Sequence, residues 1–225
     1  MKKPINIAID GPAGAGKSTI ARQLANRLGI LYLDTGAMYR AVGLKALRTN
    51  TDMRSEPDLE RMLNQTVLDI QFGPNGQQVI LDGVDVTDTI RSSDVSRAAS
   101  DVSAIPAVRH RLVEMQRCIA EQRDLVLDGR DIGTYVLPDA PFKFFLTADV
   151  KERARRRLND LQARGETNLS LSDVIDEVSY RDQQDSSRSM APLKQAEDAI
   201  LIDTTGLTIE EVIGRVLAQL RPQQL

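Results

Sequence analysis

The sequence predicts an α/β fold: a five-stranded parallel sheet covered by helices on both faces, with a small antiparallel sheet inserted into one connection. Three observations predict it. Five short apolar runs, Ile5 to Ile9, Ile30 to Leu33, Leu125 to Leu127, Phe142 to Leu146 and Ala199 to Ile202, alternate with stretches of helical periodicity, as parallel strands joined by crossover helices do. Residues 34–124, between the second and third runs, far exceed the roughly dozen that a crossover requires, so something is inserted there. Inside that stretch, extended runs flank a turn of glycine, proline and asparagine.

The first strand lies in Pro4 to Asp10, where Ile5, Ile7 and Ile9 recur at a period of two; Ile20, Ala21, Leu24, Ala25 and Leu28 then recur with helical spacing. Between them, Gly11 to Ser18 reads GPAGAGKS and fills G-x-x-x-x-G-K-[ST] at every fixed position. A strand before it and a helix after it are the context in which this motif, the P-loop, cradles nucleotide phosphates. Gly11, Gly14 and Gly16 let the backbone turn its N–H groups toward phosphate oxygens, and the positive end of the following helix completes an anion cradle. Lys17 supplies a point charge between the β- and γ-phosphates, and the Ser18 hydroxyl a ligand for the Mg²⁺ that bridges them. The expected ATP-binding stretch is Gly11, Pro12, Ala13, Gly14, Ala15, Gly16, Lys17, Ser18 and Thr19.

After the second strand, Asp34 to Arg40 reads DTGAMYR. It places a hydroxyl, a glycine and an arginine at a strand's carboxyl end, where open α/β sheets bind ligands. In the insert, Val67 to Phe72 and Gln78 to Leu81 flank Gly73 to Gly76, GPNG, and Val84 to Val86 follows a turn at Asp82 and Gly83; Asn-Gly between extended runs signals a hairpin. In Ala107 to Gln122, Val108, Leu112, Met115 and Ile119 form a helical stripe, with Cys118 read as a buried or flanking structural thiol and His110 as a solvated residue. One cysteine cannot build a disulfide or a cysteine-based metal site within the chain. One histidine excludes histidine triads, so any general base is a carboxylate or absent.

The third strand opens Leu125 to Thr134, LVLDGRDIGT, where Asp128 and Asp131 could hold Mg²⁺ waters and Arg130 a phosphate. Beyond the fourth strand, DVKERARRR puts Arg153, Arg156 and Arg157 at i, i+3 and i+4, on one side of a helix. Asp149, Glu152 and Asp160 could neutralise them, but each such pair is worth only about 0.2–0.5 kcal/mol. Arginine contacts to a transferring phosphoryl group can be worth ~10³ to 10⁵ in rate, which favours a functional role beside a P-loop. Arg181, Asp185 and Arg188 fall at i, i+4 and i+7, either as an ion-pair ladder or as ligand contacts. In the last helix Thr208 and Glu211 make a capping box, and Ile209, Val212, Ile213, Val216, Leu217 and Leu220 form one face assigned to core packing.

At 225 residues the chain fits one domain with insertions. Its 29 Lys and Arg against 32 Asp and Glu give a net charge of -3, which offers no overall attraction to nucleic acid polymers or anionic membranes. Met1 to Lys3 is basic, but the apolar stretch behind it is too short for a signal segment, and no run approaches membrane-spanning length. A cytoplasmic monomer with no obligate partner is expected.

GPAGAGKS, DTGAMYR, AASDVSAIPAVR, LVLDGRDIGT, ERARRR and RDQQDSSRSMAPL, in this order over nearly the whole chain, closely resemble the bacterial cytidylate kinase family. Nucleoside monophosphate kinases in general share weaker versions of the first, second and fourth stretches. The resemblance implies a three-layer P-loop kinase fold with a monophosphate-binding insert, from about Thr35 to Ala104, and a short helical lid, from about Arg153 to Pro192. It implies transfer of the γ-phosphoryl group of ATP, with Mg²⁺, onto CMP or dCMP. By resemblance Arg40, Arg130 and Arg188 clamp the CMP phosphate beside Thr35 and Tyr39, and Ser100, Arg109 and Asp131 read cytosine. Arg181 and Asp185 contact the ribose, Arg153 and Arg157 meet the ATP phosphates together with Lys17, and Asp128 orients water around the metal. Thr35 stands where some members carry serine, which keeps the hydroxyl. Rival readings are a P-loop kinase for shikimate or dephospho-coenzyme A, which the inserted hairpin argues against, and a GTP-dependent switch, for which the chain lacks the N-K-x-D string.

Overall fold

Two sheets organise the chain. A computed structural model describes residues 4–163 and 165–220; the basic start, Met1 to Lys3, lies outside them. The strands are β1 (Asn6–Asp10), β2 (Leu31–Asp34), β3 (Leu68–Gly73), β4 (Gly76–Leu81), β5 (Val84–Asp85), β6 (Leu125–Asp128), β7 (Phe142–Thr147) and β8 (Ile200–Asp203). Five of them form a parallel sheet in the order β2-β6-β1-β7-β8, each beginning or ending within a residue of an apolar run in the sequence. The order reverses between β1 and β6, so the carboxyl ends of these two strands open onto the crevice where such sheets bind ligands.

The period of two explains the two cores. Ala8, Leu33, Leu125 and Leu127 face one layer, with Val42, Val108 and Leu112; Ile7, Ile9, Val126 and Phe144 face the other, with Leu24, Val212, Ile213 and Val216. The covering helices are α1 (Lys17–Leu28), α2 (Thr35–Arg48), α3 (Glu56–Asn64), α4 (Ser93–Val102), α5 (Pro106–Ala120), α6 (Val150–Gln162), α7 (Leu171–Ser187) and α8 (Ile209–Leu217). No helix among the described residues is long and apolar enough to cross a membrane.

β3, β4 and β5 form the small antiparallel sheet expected in the insert. Its tight turn is Pro74-Asn75, with Gly73 paired to Gly76 and Gly76 at φ 101. The Asn-Gly signal thus marks the residue after the turn, because Pro74 restricts the first turn position to negative φ. Val79, Leu81 and Val86 pack this sheet against Ala37, Ala41 and Leu44 of α2 and Val95 of α4. α6 and α7 pair through Ala154, Leu161, Val174 and Val178, with Ala13 of the P-loop beneath them.

Three details depart from the sequence reading. Cys118 is exposed, since it lies one residue, about 100° of helix, from the half-buried Ile119. Ile209 is 43% exposed at the first turn of α8, while Val212, Ile213, Val216 and Leu220 are buried. Arg188 follows α7 in an extended conformation, φ −57 and ψ 135, so helical spacing does not set its direction.

Candidate active site

The carboxyl ends of β1, β2 and β6 form the floor of a cleft of about 590 Å³, walled by α1, α2, α4 and the α6–α7 pair. On one side the P-loop leaves β1 at Gly11, φ 146, where a Cβ would come within 1.9 Å of the Leu146 carbonyl oxygen. Only glycine fits that approach. α1 begins after Gly16 with no side chain capping its amino end, which leaves its first amides to an anion. Lys17 Nζ donates to the Pro12 carbonyl at 2.7 Å. Burial, and then the nearby Arg130, push the Lys17 pKa down to about 7, although Asp128 and Asp185 pull the other way.

Ser18 Oγ donates to Asp128 at 2.8 Å, and the Tyr32 hydroxyl donates to the other oxygen of the same carboxylate at 2.8 Å. Burial, followed by the nearby Asp34, raises the Asp128 pKa against the opposing effect of Lys17. A hydroxyl and a carboxylate in contact are hard oxygen donors that suit Mg²⁺, which takes one or two protein oxygens and completes its shell with phosphate and water. Among the described residues no group of three or more His, Cys, Asp or Glu forms a dedicated cage.

On the opposite side Thr35 Oγ1 donates to the Asp128 carbonyl at 2.7 Å. Asp34 caps α2 by accepting from Ala37 N at 2.9 Å and accepts from Arg40 Nη2 at 2.8 Å. Burial raises the Asp34 pKa, but Arg40, Arg91 and the Ala37 amide outweigh it. In the turn after β6, Arg130 Nε donates to Asp185 at 2.6 Å, and Arg188 Nε donates to the Asp185 carbonyl at 3.2 Å. Burial of Asp185 is likewise outweighed, by Arg130, Arg188 and Arg181, so it stays ionised. Asp131 is ion-paired with Arg109, a fully buried guanidinium 5.8 Å from the Tyr39 ring and 6.0 Å from the Tyr135 ring. Burial raises the Asp131 pKa more than Arg109 and Arg188 lower it.

Buried polar atoms without a hydrogen-bond partner gather on this side: Arg40 Nε, Ser100 Oγ, Arg109 Nε, Arg157 Nε and Arg188 Nη2. Unmet buried donors are costly, so their concentration points to a polar, anionic ligand. Charge agrees, because burial together with Arg130 and Arg157 pushes the Arg181 pKa down to about 10.

The cleft wall carries Ala13 to Thr19, Thr35, Tyr39, Arg40, Ser100, Asp128, Arg130, Asp131, Arg157, Arg181, Asp185 and Arg188. Arg109 stands behind Asp131. Arg153 turns the other way: its guanidinium donates to the Ala148 and Ala13 carbonyls, both at 2.9 Å, and to Asp182 at 2.6 Å. Arg156, three residues on, lines the cleft instead, bonded to Thr204 at 2.9 and 2.7 Å and to Glu152 at 2.9 Å; Arg155 and Arg156 hold the Glu152 pKa at about 2. Sequence reasoning passed over Asp10, Asp34, Gln77 and Asp182. Of these, only Asp34 carried a local signal, as the residue between a strand and a helix.

A P-loop above a magnesium-competent Ser–Asp pair, facing a second basket of guanidinium groups in one cleft, defines a P-loop kinase for a small phosphorylated acceptor. The family model for cytidylate kinase matches residues 7–222, and the chain belongs to that family. A cytidylate kinase of Desulfitobacterium hafniense (strain Y51) is 54% identical over 218 residues, covering 97% of this chain and 93% of that protein. One from Caldicellulosiruptor bescii is 54% identical over 217 residues, covering 96% and 95%. A solved structure described as an uncharacterized protein from Eubacterium ventriosum ATCC 27560 shares the fold alone, at 15% identity and TM-score 0.52 over 96% of this chain and 97% of that one.

Proposed function

We propose that this chain moves the γ-phosphoryl group of ATP onto CMP or dCMP, giving ADP and CDP or dCDP. The observation that carries the reading is the juxtaposition in one cleft of the Ser18–Asp128 pair with the arginines around Asp131 and Asp185. P-loop amides and Lys17 hold the β- and γ-phosphates. Arg40, Arg130 and Arg188 hold the acceptor phosphate, whose oxygen attacks the γ-phosphorus as the bond to ADP breaks. Ser18 and Asp128, the latter through water, would hold Mg²⁺, which neutralises phosphate charge when bound. The acceptor phosphate is already ionised, so no strong base is required. Arg157 stabilises charge spread over the equatorial oxygens of the transferring group, and Arg153 joins it after leaving Asp182.

Ser100, Arg109 and Asp131 read the base. Cytosine presents an amino donor to Asp131 where uracil presents an acceptor, and discrimination by buried polar groups of this kind reaches ~10⁴ to 10⁵. Arg181 and Asp185 face the ribose. Residues 35–104 act as the acceptor-binding region and residues 153–192 as a lid that excludes water, so that CMP and not solvent receives the phosphoryl group. In this reading the chain works as a monomer, in the cytoplasm with its nucleotide substrates. A coupled ADP-release assay across CMP, dCMP, UMP and AMP tests it. CMP and dCMP are expected to lead, and a wide preference for AMP or UMP overturns the assignment.

A further inference from the structure

Asp10 ends β1, and no step above uses it. The residue is 4% exposed. One carboxylate oxygen accepts from the Ile132 amide at 2.8 Å and the other from the Gly133 amide at 2.7 Å. These two amides open the π-helical turn Ile132–Val136, where leading N–H groups have no partner within the turn. The residue immediately before them is Asp131, at φ −148 and ψ 23, and Arg130 precedes that. The backbone that aims Asp131 therefore hangs from the Asp10 side chain.

Asp10 is itself fixed. It is in register with Phe145 of β7, and Gly11 beside it lies against the Leu146 carbonyl with no room for a Cβ. The turn is also held from its far side. A Cβ on Gly133 would stand 3.1 Å from Lys143 Cδ and 3.4 Å from Asp10 Oδ2, and Lys143 Nζ is tied to Asp198 at 2.9 and 2.7 Å. Two adjacent amides need two acceptor oxygens. A carboxylate supplies both, whereas an asparagine would turn an NH₂ toward one of them. Burial raises the Asp10 pKa to about 7 in spite of both amides, and the nearby Asp131 adds to the rise.

We propose that Asp10 is a positioning residue for base selection: its carboxylate fixes Asp131, and so the choice between an amino and a carbonyl group on the acceptor base, from the strand that also launches the phosphate-binding loop. This rests on Asp131 as the base reader. The test compares kcat and KM for CMP and UMP in the unmutated protein, Asp10→Asn, Asp131→Asn and the double variant, with Asp10→Ser replacing Asp10→Asn if the latter does not fold. Loss of the two-oxygen clamp is expected to lower the CMP:UMP ratio of kcat/KM about tenfold, with KM for ATP little changed. In the Asp131→Asn background it should lower the ratio no further. A role in stability alone reduces the active fraction and scales both acceptors equally. An unchanged ratio in the Asp10 variant, while Asp131→Asn collapses it, overturns the proposal and leaves the base reading intact. An unchanged ratio in Asp131→Asn instead removes the base reading on which the proposal stands.

Discussion

Lys17 concentrates the residue-scale chemistry of the donor side. Its pKa of about 7, set first by burial and then by Arg130, leaves the amine about half neutral at neutral pH before ATP binds. A triphosphate beside it favours the charged form, so binding takes up a proton above pH 7, and affinity falls as pH rises from about 7 toward the bound-state pKa. Calorimetry at pH 8 in two buffers of different ionisation enthalpy should register uptake approaching one proton, and Lys17→Met should remove it; equal heats in both buffers would sink the idea. On the acceptor side, Arg188 has a buried Nη2 with no hydrogen-bond partner. Arg188→Ala removes charge-assisted contacts of about 1.5–3 kcal/mol each. It should lower kcat/KM for CMP by ~10²-fold with KM for ATP nearly constant, as steady-state kinetics would report. The sequence spacing marked Arg153, Arg156 and Arg157 as a group but could not say which faces the cleft. Arg153 is drawn away by the Ala13 carbonyl and Asp182, partners 140 and 29 residues distant. Arg109 was equally silent, because its worth comes from Asp131, 22 residues on, and from two aromatic rings.

At the scale of elements, the strands and α8 were legible because burial on two faces imprints a period of two, and on one face a period near 3.6, within each segment. What joins elements leaves no such imprint. Gln77 shows the difference. The Asp34 amide donates to its side-chain oxygen at 2.6 Å, and its NH₂ donates to the Asp34 carbonyl at 3.2 Å. The glutamine side chain thus substitutes for a backbone partner and pins the small sheet to the end of β2, at the residue that caps α2 and holds Arg40. Gln77→Ala should let that sheet swing from the cleft and raise KM for CMP about tenfold, with KM for ATP unmoved. A parallel rise in both constants would mean that the tie serves general stability and not acceptor placement.

Across the whole molecule, α7 is the element that reaches every part of the cleft. Its Asp182 accepts from Ala13 N of the P-loop at 3.2 Å and from Arg153 of α6, and its Asp185 holds Arg130 of the turn after β6. Tyr180 donates to Asp101 of α4 at 3.0 Å and lies 5.6 Å from the Arg97 guanidinium. One helix touching the P-loop, the turn after β6 and α4 means that a ligand on either side of the cleft biases the same body, which is the requirement for coupled binding. Coupling of this kind is typically about 5- to 150-fold and must be reciprocal. A non-hydrolysable ATP analogue is therefore expected to bind ~10-fold more tightly in saturating CMP, and CMP more tightly by the same factor in saturating analogue, which gives the calorimetry an internal check. Asp182→Ala removes the polar tie between α7 and the P-loop without touching Asp185, leaving the packing of Ala13 with Val174 and Val178, so it should lower the factor while leaving the affinity for CMP alone near that of the unmutated protein. Undiminished coupling in Asp182→Ala would show that the Asp182 tie does not carry it.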